Sequence, residues 1–487
     1  MNPPKTFEKV VYIKPSLTLN EFPMDTLIHI QSFMEPLDII ALRQCSKIMA
    51  SATAHRTVWF DALRRVCVAQ EVSILTFPME NMSLRDLEHA ATSPARFIAH
   101  LSKQRETEEI IPALSTRIFQ PRLPRPLTGI SGDISRMRLI PGGRYLVTTS
   151  NLARMSVWDL GHRPAAIIKP YPLVSIVLSF QPSELLIQPT EDHSGFRILT
   201  ISVAANANLV DVTVYEIYPA TEEPTLQQIA NHSIFASNLR VYALTPNRFT
   251  YYHNFLLTTW DFTENTAGIV HVYQPLWTIT VAPTTVIGHC DDGIVMVEVP
   301  PLHPVGTPAA GVVVEPVSPS PMVSHTHDVF AEFIDLHMAP TDWHTSPSIP
   351  LVMDVFGRLE DGFPAYARSL LHEIPGGGHP DLPSAFPILM GISRVPHETF
   401  DADFCGRLQL ANTHLFRTWA TSPTELMINM ARVPYRRQIE FESKTSYLWG
   451  LPNNVQGFLY DLDPMSGRFV TWTTPDIRVV DFLLPHF

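Results

Sequence analysis

From about Gly129 the chain changes its apolar period from near 3.6 to two and keeps the new period to the C-terminus. Runs such as YLVTTS, RMSVWDL, RILTISV, VTVYEI, RFTYYHN, LLTTWDF, GIVMVEV and GFLYDL alternate or are rich in β-branched and aromatic residues, with turn residues between them. Two stretches share one plan. PGGRYLVTTSNLARMSVWDL and TPNRFTYYHNFLLTTWDF each pass through a turn, an arginine followed by an aromatic, a strand, a short hairpin and a strand ending in Trp-Asp. VYEI and FLYDL carry weaker forms of that ending, an aromatic followed by an acid and an aliphatic. A strand unit recurring every few tens of residues cannot bury both faces alone, so copies must stack. The period alone leaves a propeller, a pair of β-sandwiches and an irregular β-fold open.

The region before it reads differently. Residues 19–116 keep a helical period, with Leu27, Ile30 and Met34 in one stripe and Phe33 beside it. Pro23 suits a first helical position, and Asp25 puts a negative charge in the first turn. Glu35-Pro36 interrupts the pattern. Asp38 is placed to cap a second helix, on which Leu42, Cys45 and Met49 share a face. A third helix from near Thr57 sets Trp59, Leu63 and Val66 together, and MSLRDLEHAA and SPARFIAHLSKQ read as two further short helices, the second opened by Ser93-Pro94. RIFQPRLPRPL, with three prolines, reads as an extended linker. The expected division is a tail (1–18), a helical domain (19–70), a helical extension (71–116), a Pro-rich linker (117–128) and a β-domain (129–487). Segments 299–321 and 374–387 are long Pro- and Gly-rich loops by composition.

Hydrophobic residues make up 45% and charged residues 17%, the balance of a folding chain. A net charge of −12 argues against a nucleic-acid surface. Cys45, Cys67, Cys290 and Cys405 form no CxxC pair and read as reduced thiols, which points to the cytoplasm or nucleus. The sequons at Asn81 and Asn231 are then chance matches. The opening residues are polar and broken by proline, unlike a leader, and no run approaches the ~18 apolar residues of a membrane span.

Catalytic motifs are missing. There is no GxSxG, no Walker loop and no GxGxxG after a strand, and PGGGHP is not followed by Lys-Ser/Thr. The sharpest metal candidate is SHTHDVF, with His325, His327 and Asp328, and with His337 and His344 nearby in sequence. Alternate strand residues commonly carry polar side chains to solvent, and no fourth ligand stands at a recognised spacing. The expectation is therefore no catalytic residue, no metal and no cofactor. Tyr251, Tyr252 and Trp343 are candidates for a recognition surface, but most such aromatics fill the space between sheets.

The opening stretch resembles an F-box, the helical module that docks substrate receptors onto the Skp-family adaptor of cullin-RING ubiquitin ligases. Phe22-Pro23 and Asp25 match its Leu-Pro start and following acid, and Leu27, Ile30, Phe33 and Met34 match its first helix. Glu35-Pro36-Leu37-Asp38-Ile39 matches its connecting segment, Leu42, Cys45 and Lys47 its second helix, and Trp59 and Leu63 its late Trp and Leu. Phe22 stands for Leu and Met49 for Trp, both keeping apolar volume. The resemblance implies an adaptor surface of Phe22, Pro23, Leu27, Ile30, Phe33, Leu37, Ile39 and Leu42. The β-rich part is similar to WD-type propellers through Trp158-Asp159, Trp260-Asp261 and YDLDPMSGRFVTW; the resemblance implies a chain that joins a helical module to an all-β domain, a β-propeller of six to eight blades at roughly 40–50 residues per blade.

Together these imply a substrate-receptor subunit of a Skp-cullin-F-box ubiquitin ligase, holding the adaptor on the helices and an unidentified protein target on the β-domain. Such a subunit has no catalysis of its own and engages neither nucleic acid nor membrane. Two alternatives stay open: an F-box scaffold that delivers nothing for degradation, and a β-propeller hydrolase with an incidental helical cap.

Overall fold

The structure, a computed structural model, describes residues 19–70, 72–103, 110–122, 133–203, 209–236, 239–281, 285–290, 293–306, 313–314, 330–339, 352–359, 361, 363–373, 385–395, 409–411, 414–422, 425–432, 443–450 and 459–485. The expected tail, His325, His327, Asp328, Trp343, His344, Cys405 and most of the loops at 299–321 and 374–387 lie outside the described residues.

Five helices open the chain: α1 (Met24–Gln31), α2 (Pro36–Arg43), α3 (Lys47–Thr53), α4 (Arg56–Ala69) and α5 (Leu84–Lys103). Pro36 fits the first turn of α2, so Glu35 is its N-cap and Asp38 lies inside the first turn, not at the cap expected for it. Leu42, Cys45 and Met49 do not share one helix. Ser46 stops the pattern by accepting a hydrogen bond from the Met49 amide at 3.2 Å and starting α3. In the opposite sense, the two short helices expected around Ser93-Pro94 are one. Pro94 lies inside α5, while the hydroxyls of Thr92 and Ser93 donate to the carbonyls of Glu88 (2.8 Å) and His89 (2.7 Å). Burial of Leu87, Ala90, Ala91, Phe97 and Leu101 along α5 outweighs the one hydrogen bond that proline removes.

The rest is a seven-bladed β-propeller. Blade 1 is β2–β5 (Ile134–Leu139, Tyr145–Ser150, Arg154–Asp159, Val174–Val177), and blade 2 is β6–β9 (Pro182–Pro189, Phe196–Val203, Val210–Ile217, Gln227–Ile234). Blade 3 is β10–β13 (Val241–Leu244, Arg248–His253, Leu256–Asp261, Thr266–His271). Blade 4 has three strands among the described residues, β14–β16 (Thr278–Val281, Thr285–Cys290, Gly293–Glu298). The chain beyond it instead adds β17 (His303–Pro304) and β18 (Val313–Val314) to the outer edge of blade 3. Blade 5 is β19–β22 (Phe330–Ala339, Val352–Leu359, Pro364–Glu373, Ala385–Arg394), and blade 6 is β23–β26 (Gln409–Ala411, His414–Ser422, Glu425–Arg432, Ser443–Gly450). First strands of neighbouring blades lie against one another, β2 on β27 and on β6, and β10 on β14, as an inner ring requires.

Blade 7 corrects the expected linker. Its strands are β27–β29 (Leu459–Asp463, Arg468–Thr473, Asp476–Asp481), completed by β1 (Ser115–Phe119) from the far end of the chain. β1 runs antiparallel to β29 with Ser115 opposite Asp481 and Phe119 opposite Ile477, so the β-domain takes in residues read as helical extension and linker. A closing strand has its partner hundreds of residues away, which local composition does not register.

The repeated plan has a physical basis. An arginine at the start of a blade's second strand pairs with an acid at the end of the third: Arg144 with Asp159 (2.8 Å), Arg197 with Glu216 (2.8 Å), Arg248 with Asp261 (3.3 Å) and Arg468 with Asp481 (2.7 Å). VYEI ends such a third strand. FLYDL does not, because it forms β27, a first strand, and the equivalent acid of blade 7 is Asp481. Trp158 and Trp260 are buried, and Trp158 donates its indole N–H to Thr148 Oγ1 at 2.9 Å.

Asp481 is shared. Arg117 of β1 reaches its other oxygen at 3.0 Å, and all three side chains are largely buried. Burial, and then the neighbouring Arg468, lowers the pKa of Arg117 from its ordinary value. Removing the carboxylate strands two buried cations. Asp481→Ala is expected to cost about 3–5 kcal/mol, read as the shift in urea-unfolding midpoint; a midpoint unchanged within error would contradict this role.

Four histidines give stability a pH dependence, and for His232 burial alone lowers the pKa. Burial lowers the pKa of His100, with Lys103 adding to it, and of His162, with Arg163 and Arg144 adding and Asp86 and Asp159 opposing. Burial and Arg432 bring His414 down to about 4. All four resist protonation in the folded chain, whereas the unfolded chain protonates them near 6.5. Their contribution is complete above about pH 6.5 and is lost as the pH falls toward the folded values. The urea midpoint should therefore drop between about pH 7 and about pH 5, and His414→Gln should flatten the drop.

Candidate functional site

The helical unit has a closed side and an open side. On the closed side Ile39, Val58, Trp59, Ala62, Leu63, Val66 and Cys67 form a core with Leu87, Ala90 and Ala91 of α5. Trp59 donates to the Thr53 carbonyl at 2.8 Å, and Arg43, over its ring at 5.6 Å, forms a two-pronged bond to Glu88 at 2.7 and 3.1 Å. Met49, Leu27 and Ala52 make a smaller cluster with Met24 and Leu42.

The eight expected adaptor residues therefore divide. Leu27 (1% exposed) and Ile39 (0%) are interior, so they hold the helices together and present nothing to a partner. Ile30 and Leu42 are half-buried. Phe22, Pro23, Leu37 and, at 76%, Phe33 are exposed. The structure adds Leu19 and Ile48 to the open side, and Cys45, an exposed thiol whose sulfur lies 3.6 Å from the Ala41 carbonyl. Leu37, Ala41 and Cys45 follow one another at four-residue spacing along α2 and past its end, all exposed. The Leu19–Glu21 turn is fastened beside this row, because the Ser46 hydroxyl bonds to Asn20 Oδ1 at 2.9 Å. Phe33 packs edge-on against His29 at 5.1 Å. The cap at Ser46 was the signal for this arrangement: by ending the helical pattern, it swings Ile48 out and Met49 in.

The unit does not hang free. The far half of α5 enters the space between blades 6 and 7, where Phe97 and Leu101 pack with Phe416, Leu426, Leu462, Phe469 and Phe482. Met465, in the turn between β27 and β28, packs into the helical core in return. Thr76 Oγ1 donates to the Pro141 carbonyl (2.8 Å), Arg163 pairs with Asp86 (2.5 Å), and Arg96 donates to the Leu484 carbonyl (2.7 Å). At Gly142, with φ +94°, a side chain would run into Thr76 and Val72. The seam encloses a cavity of about 20 Å³ beside His89, His162 and Arg468, room for one water and no substrate.

Of the other candidates, Tyr251 is buried and Tyr252 packs half-buried between blades 3 and 4. Among the described residues no three His, Cys, Asp or Glu side chains are grouped to hold a metal, and no helix is long and apolar enough to cross a membrane.

No family model and no curated protein matches this chain. Among solved structures it is similar to U3-55K (10% identity, covering 75% of this chain and 98% of that one, TM-score 0.40) and to the RRP9 WD40 repeats (10%, 77% and 99%, 0.41). A third is the Myceliophteria thermophila Cps50 (Swd1) β-propeller domain (10%, 72% and 97%, 0.38). At this identity and these TM-scores the likeness adds nothing beyond the fold already described.

Proposed function

We propose that this protein is the substrate-receptor subunit of a Skp-cullin-F-box ubiquitin ligase, with the adaptor docked on the open side of the helical unit and a protein target bound by the propeller, in the cytoplasm or nucleus. The observation that carries the reading is that Leu19, Phe22, Phe33, Leu37 and Ile48 are all exposed on a helical unit whose core is locked to the ring. Large apolar side chains left outside a well-formed core suit a protein interface. The chemistry of such a subunit is proximity: holding target and ubiquitin-loaded enzyme together raises their effective concentration without a nucleophile in this chain. The WD40-like ring supports an interaction scaffold, and the scaffold that delivers nothing for degradation differs only in the fate of the bound protein.

The test is co-purification of the full chain with a Skp-family adaptor. Phe33→Ala with Leu37→Ala should weaken capture by roughly 10- to 100-fold, as loss of central apolar anchors does, with the unfolding midpoint unchanged. Leu27→Ala should instead cost about 2–5 kcal/mol of stability, read as a lower midpoint, because it empties a core site. Adaptor binding should also protect Cys45 from alkylation. Undiminished capture by the Phe33/Leu37 variant, or a Cys45 equally reactive in the complex, would overturn the assignment of this face. Loss of a bound partner's turnover when the chain is deleted separates receptor from scaffold.

A further inference from the structure

Two segments distant in sequence run side by side at the outer edge of the closed ring. One is β1 and its continuation to Arg122; the other is the connection between β4 and β5, residues 160–173. Arg117 donates to the carbonyls of Leu160 (2.7 Å) and Ala166 (3.0 Å), and the Arg122 amide donates to the Pro170 carbonyl (2.7 Å), so the pair is fastened at both ends. The Arg122 guanidinium lies over the Tyr171 ring at 5.7 Å and donates to its hydroxyl at 3.1 Å.

Exposure alternates along both segments. Phe119 and Ile168 turn inward, into the core between blades 7 and 1. Ile118, Arg122, Ile167, Lys169 and Tyr171 turn outward, with Ile167 94% and Tyr171 57% exposed. These side chains stand on a backbone that is hydrogen-bonded at both ends, so the ledge is built.

Its charge is distinct from that of the chain. The net charge is −12, yet residues 115–122 and 160–173 contain no Asp or Glu. They contain Arg117, Arg122, Arg163 and Lys169. Asp86 pairs with Arg163, and Asp481 is divided between the inward-facing Arg117 and Arg468, so Arg122 and Lys169 are the cations of the outward side. β1 is also the outermost strand of its sheet, so one backbone edge faces away from the ring.

We propose that this ledge binds an extended, acidic segment of a protein partner, one that carries aliphatic or aromatic side chains at alternate positions between carboxylates. The period of two in the outward side chains matches that of an extended peptide, and the β1 edge can accept its backbone hydrogen bonds. Lys169 and Arg122 select carboxylates and repel a basic segment. Two cations on a narrow ledge offer a lipid surface little hold. The surface belongs to the propeller and stands whether or not the helical unit binds an adaptor.

The probe is a labelled peptide alternating leucine with aspartate, compared with its leucine–lysine counterpart by fluorescence anisotropy on the full chain. The acidic peptide should bind, more weakly as salt is raised from about 50 to about 300 mM. Lys169→Glu and Ile167→Ser should each cut its affinity by about tenfold, with an unchanged unfolding midpoint because both side chains are exposed. The proposal is overturned if the acidic peptide does not bind, if the lysine peptide binds equally well, or if Lys169→Glu leaves affinity intact. It is likewise overturned if Ile167→Ser abolishes only self-association in sedimentation velocity, or only binding to phosphatidylserine vesicles.

Discussion

The carboxylate of Asp481 closes the ring. It stands at the end of β29, receives Arg468 from its own blade and Arg117 from β1, and is almost wholly buried. Arg468 continues to the carbonyls of Gly143 and Gly161 in blade 1, at 2.7 and 2.6 Å, while Arg117 reaches Leu160 and Ala166. One acid therefore joins the last blade, the first blade and the strand that precedes them all. A propeller is a sheet array bent until its edges meet, and its closing seam must be specified more strongly than the joints between consecutive blades, which the chain already connects. The ion pair that recurs half-buried in blades 1, 2 and 3 is fully buried in blade 7, where its carboxylate takes a second arginine.

The second constraint is that α5 belongs to two cores at once. Leu87, Ala90 and Ala91 complete the helical unit, and two turns later Phe97 and Leu101 complete the joint between blades 6 and 7. Neither core can be opened without disturbing the same helix. With Met465 crossing the other way, and Thr76, Asp86 and Gly142 in close contact across the seam, the open side of the helices is held at a fixed orientation to the ring. A docking plug on a flexible tether would present its target over a wide volume; a plug on a shared helix presents it at one place.

The sequence made the class of fold legible because a period of two over so long a stretch leaves few alternatives, and the Arg-aromatic and Trp-Asp signals mark the second and third strands of real blades. It could not count them. Among the described residues β17 and β18 add to blade 3 and not to blade 4, and blade 7 takes its fourth strand, β1, from the far end of the chain, so neither blade can be read from local pattern. FLYDL misled for a related reason: an acid after an aromatic is also suited to the first strand, where Asp461 accepts a hydrogen bond from the Leu139 amide of blade 1 at 2.7 Å. Among the helices, proline signalled a boundary at Pro36 and none at Pro94. The difference is burial: α5 has cores on both halves to sustain it, whereas Glu35-Pro36 lies where the chain must turn.

Apolar spacing at the N-terminus revealed that the helices are amphipathic, but not which of their apolar residues face inward. Phe33 stands beside the stripe of Leu27, Ile30 and Met34, and Leu37 and Ile39 lie two apart at the start of α2, but spacing alone does not say which of these meets a wall. The decision lies with α4 and α5, against which α1, α2 and α3 pack: they supply one wall, and a unit of three short helices can turn only part of its apolar surface to it. The remainder must stay outside, and Phe33 and Leu37 are that remainder. Exposed aliphatic and aromatic side chains weaken solubility and do nothing for the core. Their persistence on the side turned away from the ring is therefore a property of the surface and not of the fold. The same reasoning applies to Ile167 and Tyr171, whose neighbour Ile168 already fills the interior that their segment can reach.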